Sequence, residues 1–386
     1  MREVRVNRKA ARRVASGHPW IFKSDVLDTG GAEAGAAVKV TDPNGRELGT
    51  AHFSAASQIA LRLLSRRVEE LDREFFTTRL AAAEAHRRKV VCGTDAYRVV
   101  HGEGDLLPGL VVDRYADWLA IQTLDQGMDA ARESIVGSLV ELFSPRGMVA
   151  RNDASVRSKE ALPLESSVIY GEVPETVEFH MNGLRLQADL LHGQKTGAFL
   201  DQRENYVAAA RYARGKALDC FTSTGGFALH LAAVCESVEG LDSSGPALAV
   251  AARNAALNGI TGIEFREADV FVALQAYAAA RRQFQTVILD PPAFAKSRSK
   301  LDEAIRGYKE INLRALRLLG PGGILVTCSC SHHLSEAALL ELVAQASLDA
   351  GRQLRVLERR TQGLDHPILL TVPETHYLKC LILEVM

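Results

Sequence analysis

The sequence is short of everything that would commit it to a membrane, a metal or an oxidising compartment. No apolar run in its 386 residues approaches the roughly 18 to 20 that cross a bilayer. The Arg-rich stretch over residues 1–17 has no apolar segment behind it and is not expected to act as a secretory signal. A membrane is therefore not expected as a partner. The six cysteines, Cys92, Cys220, Cys235, Cys328, Cys330 and Cys380, show no CxxC pairing, so reduced thiols and a cytoplasmic setting are expected. Cys328 and Cys330 form a C-x-C, but no second Cys or His pair stands at zinc-finger spacing, and no metal site is expected. Net charge is also lacking, and its value of −1 taken alone argues weakly against nucleic acid as a partner.

What is present is the composition of a soluble globular protein, 47% hydrophobic and 24% charged, on a chain long enough for two or three domains. The distribution of charge says more than its sum. Residues 1–68 hold twelve Lys and Arg against six Asp and Glu, with Arg62, Arg66 and Arg67 among the basic ones. A basic N-terminal module on a mildly acidic body suits phosphate-backbone binding delegated to one domain; a solvated basic face is the alternative.

The same segment alternates β-like runs at 37–41 and 59–64 with turn signals such as Pro43-Asn44-Gly45, which predicts a small β-rich domain over 1–68. Leu71, Phe75, Phe76, Leu80 and Ala83 recur at helical spacing and predict an amphipathic helix over 68–91. Strands are expected at 97–100, 110–113, 118–123 and 147–150, with a helix near 128–143, so that 69–172 reads as a small central α/β unit with a leading helix. A hairpin over 177–190, turning at Asn182-Gly183, opens the last domain, 173–386. There the apolar runs 217–220, 237–241, 286–289, 324–328 and 378–383 alternate with helix-like stretches. This pattern predicts an open, doubly wound α/β sheet of Rossmann-like type.

The first of these strands leads into Asp219-Cys220-Phe221-Thr222-Ser223-Thr224-Gly225-Gly226, a glycine turn that opens a helix and lets backbone approach a ligand. Asp242 ends the next strand, where a carboxylate can accept hydrogen bonds from both ribose hydroxyls of an adenosine. Asp269 closes a third strand-like run and is placed to meet an adenine amine. The chain lacks both the G-x-G-x-x-G of a dinucleotide site and the Gly-Lys-Ser/Thr of a phosphate loop, so an adenosyl ligand without phosphates, S-adenosylmethionine, fits best. Phe221 in the turn and Ser243 after Asp242 complete this cofactor set. Asp290-Pro291-Pro292-Ala293-Phe294 follows the fourth strand, and its prolines hold a rigid turn that aims Asp290 into the cleft, where it can accept from a base amine.

A further strand ends in Thr327-Cys328-Ser329-Cys330-Ser331-His332-His333, which puts two thiols on the same sheet edge. Carbon 5 of a pyrimidine is not nucleophilic by itself, and methylating it requires a thiolate that adds to carbon 6. Such a thiol needs a nearby positive charge or dipole to ionise. His332 and His333 are close in sequence but are read as ordinary loop residues.

Taken together these residues resemble the PUA-containing class I methyltransferases that form 5-methylcytidine in large-subunit ribosomal RNA. The resemblance spans nearly the whole chain, through Gly17-His18-Pro19-Trp20-Ile21-Phe22, Leu107-Pro108-Gly109-Leu110-Val111-Val112-Asp113-Arg114-Tyr115, and Gly193-Gln194-Lys195-Thr196-Gly197 with Phe199-Leu200-Asp201-Gln202-Arg203. It implies an N-terminal RNA-binding PUA barrel, a central α/β domain and a C-terminal catalytic domain. It also implies that Gln194, Lys195, Thr196, Phe199 and Gln202 border S-adenosylmethionine, and that the protein is a homodimer. In this family the nucleophile is the Cys of a Thr-Cys-Ser or Ser-Cys-Asn tripeptide; Cys330 fits better than Cys328 by its offset from the preceding glycines. The fourth motif lacks the second Cys that many such enzymes carry after its proline. Two other readings stay open at this point: methylation of a base nitrogen, because Asp-Pro-Pro-x-Phe also resembles amine-directed enzymes, and a non-catalytic RNA-binding factor of ribosome assembly.

Overall fold

In the computed structural model, residues 1–294 and 300–386 are described, and the chain divides into two compact units. The first comprises Met1–His180, Ala188–Ala198 and Leu364–Thr375, and the second Met181–Gln187, Phe199–Gly363 and His376–Met386.

The first unit carries two sheets. One has six strands in the order Trp20–Phe22, Ile59–Ser65, Glu47–Phe53, Ala37–Thr41, Arg2–Val6 and Val26–Asp28. Period-two alternation sends Val4, Val6, Val38 and Val40 into one core with Ile21 and Leu61. A helix absent from the sequence reading, Arg8–Ala15, packs Ala10, Ala11 and Val14 beneath this sheet. Its signal was a cap: the Asn7 side chain accepts from the Ala10 amide at 2.9 Å. Arg62 is buried in this unit and pairs with Glu160 at 2.7 Å, so it does not belong to the solvent-facing basic surface.

The second sheet orders Glu165–Gly171, Gly147–Asn152, Trp118–Thr123, Leu110–Tyr115 and Ala96–His101. The amphipathic helix begins at Arg73 rather than 68, because Asp72 caps it by accepting from Phe75 N at 2.9 Å. The helix expected near 128–143 is two, Gln126–Ala130 and Arg132–Phe143, broken at Ala131. Two stretches that carried the family resemblance meet here. Asp113 accepts from Arg98 Nε and Nη2, both at 2.8 Å, and from Thr196 Oγ1 at 2.6 Å, while Tyr115 Oη lies 3.2 Å from the same hydroxyl. Gly109 sits at φ +86°, where a Cβ would fall 1.9 Å from Asp125 Oδ2.

The second unit is built on one seven-stranded sheet. Its strands are β1 (Lys216–Cys220), β2 (Ser237–Asp242), β3 (Ile263–Glu267), β4 (Phe284–Leu289), β5 (Leu319–Ser329), β6 (Leu354–Arg360) and β7 (Lys379–Val385). They lie in the order β3-β2-β1-β4-β5-β7-β6; the first five are parallel and β7 is antiparallel to both of its neighbours. The helices are α1 (Arg203–Tyr212), α2 (Gly226–Leu231), α3 (Gly245–Leu257), α4 (Val270–Ala279), α5 (Leu301–Arg317) and α6 (Glu336–Asp349). Residues of β1, β4 and β5 such as Leu218, Val287 and Leu325 are fully buried, as expected where helices cover a parallel sheet. The edge strand β6 was not expected; its Arg and Glu content hides the alternation. In this unit Asn182 and Gly183 are both at positive φ, as an Asn-Gly turn requires. Among the described residues, no helix is long and apolar enough to cross a membrane.

Candidate active site

Order reverses in this sheet between β1 and β4, and the carboxyl ends of the strands there are where an open α/β sheet binds ligands. Three features of the second unit gather along that edge.

The first is the turn after β1. Phe221, Ser223 and Gly225 have φ of 65°, 50° and 89°, so two non-glycine residues are held in the left-handed region. The reason lies in Asp219, which is fully buried at the end of β1. Its Oδ2 accepts from Thr222 Oγ1 at 2.6 Å and from Ala228 N at 2.9 Å, pinning both ends of the turn. Burial pushes its carboxyl group up to about 7, and Oδ1 has no hydrogen-bond partner. Gly226 is required for packing, since a Cβ there would lie 2.4 Å from Tyr206 Cζ. Asp242 spans two elements: Oδ2 accepts from Ser223 N and Oδ1 from Ser244 N, both at 2.9 Å. Ser243, between them, is exposed. Asp269 lies two residues past β3, exposed, and caps α4 by accepting from Val272 N at 3.0 Å.

The second is the turn after β4. Asp290 is half-buried, and its backbone amide donates to Cys220 O at 3.4 Å, which ties the turn to β1. The Phe294 ring packs against Tyr308 of α5 at 4.7 Å and against Phe271 of α4 at 6.0 Å.

The third is the end of β5, where the two thiols part company. Cys328 is fully buried inside the strand opposite Cys380 of β7, and burial pushes its thiol well up. Cys330 lies just past the strand and is half-buried. The backbone around it is held from both sides. Ser329 Oγ donates to Tyr308 Oη at 3.0 Å, and the same Oη lies 3.1 Å from Ser331 Oγ. From β7, Lys379 Nζ donates to Ser331 O at 2.7 Å and to Tyr377 O at 2.8 Å. Burial brings this amine down to about 8.

Of the residues expected to border the cofactor, Phe199, Gln202, Phe221, Gly225, Asp219, Asp242, Asp269 and Asp290 all belong to the second unit. Gln202 is buried; its Oε1 accepts from Asn205 at 2.6 Å, and its Nε2 has no partner. Gln194, Lys195 and Thr196 belong to the first unit, where the Thr196 hydroxyl is committed to Asp113 and Tyr115. Sequence reasoning missed Tyr308 and Lys379. Each lies tens of residues from the cysteines in the chain, and only Lys379 carries a signal, a lone cation in an otherwise apolar strand end.

These residues fit S-adenosylmethionine. A buried carboxyl oxygen without a partner suits the cation of an amino-acid group, and Asp242 retains acceptor capacity for ribose hydroxyls.

Comparison with known proteins agrees. Residues 4–66 match a PUA-like domain, and residues 145–376 match the S-adenosylmethionine-dependent methyltransferase family. The ribosomal RNA large subunit methyltransferase I of Tolumonas auensis is 42% identical over 95% of both chains, and that of Shewanella amazonensis is equally 42% identical over 95% of both. The crystal structure of SMU.776, a candidate methyltransferase complexed with SAH, shares the fold with a TM-score of 0.87 over 100% of both chains at 19% identity. A PUA-like domain followed by a methyltransferase sheet, at this identity over nearly the full length, makes the chain a member of the S-adenosylmethionine-dependent methyltransferases of the ribosomal RNA large subunit methyltransferase I family.

Proposed function

We propose that this protein transfers the methyl group of S-adenosylmethionine to carbon 5 of a cytosine in large-subunit ribosomal RNA, in the cytoplasm, with Cys330 as the nucleophile. The contrast between two thiols two residues apart carries this reading. Cys328 is sealed in the sheet against Cys380, whereas Cys330 is partly accessible on the edge that also holds Asp290. RNA as substrate is supported by the names of the relatives and by the PUA-like domain. Arg5, Arg8, Lys9 and Arg12 of that domain, with Arg2 and Arg67 flanking it, face solvent, while Asp25 and Asp42 are withdrawn beneath the surface.

The bound cofactor supplies an electrophilic methyl group. Asp219 would hold its amino group, Asp242 its ribose hydroxyls and Asp269 its adenine amine. Asp290 accepts a hydrogen bond from the cytosine amine and orients the ring. The Cys330 thiolate adds to carbon 6, which makes carbon 5 an enamine carbon able to take the methyl group. Water takes the proton from carbon 5, the C–H electron pair forms the carbon 5–carbon 6 double bond, and the Cys330 sulfur leaves carbon 6 with its bonding pair, which restores the aromatic ring.

The test is tritium release from RNA labelled at carbon 5 of cytosine. Cys330→Ser is expected to abolish it and Cys328→Ala to leave it within a few-fold of wild type. Unchanged release in Cys330→Ser contradicts this assignment, and methylation without release in the wild type points to a nitrogen target.

A further inference from the structure

A thiol with an ordinary pKa of about 8.5 is mostly protonated at neutral pH, and the reaction needs the thiolate. The proposed chemistry contains no group that makes it. We propose that Lys379 is the cation that stabilises the Cys330 thiolate, a positioning residue supplied by the antiparallel strand β7. This inference rests on the reading of Cys330 as nucleophile.

Three observations carry it. Lys379 stands opposite Ser329 in the β5–β7 register, so its side chain rises from the sheet beside the turn that contains Cys330. Its Nζ is fixed there by the carbonyls of Ser331, the next residue after Cys330, and of Tyr377. Two carbonyl acceptors require two N–H donors, which leaves the third N–H of the ammonium for another acceptor. Finally, Lys379 is 4% exposed and forms no ion pair with a carboxylate among the described residues. A buried lysine with no carboxylate in direct contact is costly, and the Cys330 thiolate is an anion that balances it.

The surrounding charges favour this partnership. Glu336 at the start of α6 faces Lys379, but its Oε1 is already paired with Arg359 Nε at 2.6 Å, and His376 also bears on it. Tyr308 faces Cys330 from α5, and burial pushes its phenol up, so it stays neutral. His332 stacks on Tyr377 at 5.6 Å. Cys330 and, to a smaller extent, Glu336 raise the amine against the effect of its burial, so the larger share of the field of Lys379 falls on Cys330. When the pair ionises, the Sγ–H bond breaks, its proton leaves to solvent through the accessible side of Cys330, and the sulfur keeps the electron pair.

The experiment is the pH profile of Cys330 alkylation by iodoacetamide in the full-length protein without RNA, read by mass spectrometry of the Cys330 peptide. Wild type is expected to show an apparent thiol pKa below about 8.5. Lys379→Met is expected to raise it by about one unit, lowering the rate at neutral pH about tenfold, and Lys379→Arg to restore most of it. S-adenosylmethionine affinity, measured alongside, is expected to change less than about twofold in either variant. A wild-type value at or above the ordinary one, or an unshifted profile in a folded Lys379→Met protein, overturns the proposal. If Lys379→Met does not fold, the wild-type and Lys379→Arg profiles decide. The thiol pKa is independent of what Cys330 attacks, so failure of the cytosine reading appears only in the tritium assay and failure of this one only in the alkylation profile.

Discussion

Two turns at the carboxyl edge of the same sheet are held in opposite ways. The turn after β1 is built from local backbone: left-handed residues, a glycine pair and one buried aspartate that accepts from residues three and nine positions ahead. The turn after β5 has no such strain and is held by side chains from elsewhere, Tyr308 of α5 and Lys379 of β7. The turn proposed to hold the cofactor is a self-contained device, whereas the turn that carries Cys330 is set by parts recruited from distant segments. The first kind of site tolerates little local change; the second depends on residues that look unrelated to it.

The sharpest way to break this comparison is to change both turns and see which parameter moves. Gly226→Ala forces a Cβ to within 2.4 Å of Tyr206, so loss of about 1–3 kcal/mol of stability is expected, together with weakened S-adenosylmethionine binding, by thermal melting and titration calorimetry. The next effect is on pH. Asp219 is raised by burial to about 7, so its contribution to stability without cofactor is full below the ordinary carboxylate range and is lost as pH rises through about 7. A cationic amino group favours the ionised form, so cofactor affinity is expected to rise as pH passes through that value. Asp219→Asn should flatten the dependence and weaken binding about tenfold; an undiminished pH dependence in that variant would contradict the role given to Asp219. The smallest effect belongs to the second turn. Tyr308→Phe removes one hydroxyl shared by Ser329 and Ser331, with an expected loss of about 1 kcal/mol in stability. Turnover should fall several-fold with cofactor affinity unchanged. A change in cofactor affinity instead would show that the two turns are not separate devices.

The same division explains what could be read in the sequence. The turn after β1 was legible because its parts are contiguous: a strand, a glycine pair, then an acid at the end of the next strand. Asp290 was legible because two prolines announce the turn that carries it. Cys330 was favoured over Cys328 by offset alone, and the structure adds that Cys328 points into the core. The support of Cys330 was hardly legible, because Tyr308 reads as an ordinary apolar position of an amphipathic helix and Lys379 shows only as a lone cation in the apolar run 378–383. Asp269 was assigned to a strand end when it caps α4, since Asp serves both places equally well. At Gly226 the structure adds a packing demand that the sequence does not show, because Tyr206 fills the space a Cβ would take. The short helix Arg8–Ala15 was missed because four basic residues in eight obscure its three buried apolar ones.

The central claim is a covalent bond between Cys330 and carbon 6 of cytosine, and it can be tested by trapping. In ribosomal RNA carrying 5-fluorocytidine, the fluorine at carbon 5 blocks the proton loss that precedes release of the enzyme. With S-adenosylmethionine present, the account predicts a denaturation-resistant protein–RNA complex whose crosslinked peptide contains Cys330, formed by wild type and by Cys328→Ala but not by Cys330→Ala. A complex that persists in Cys330→Ala, or a crosslink mapped to Cys328, would contradict it.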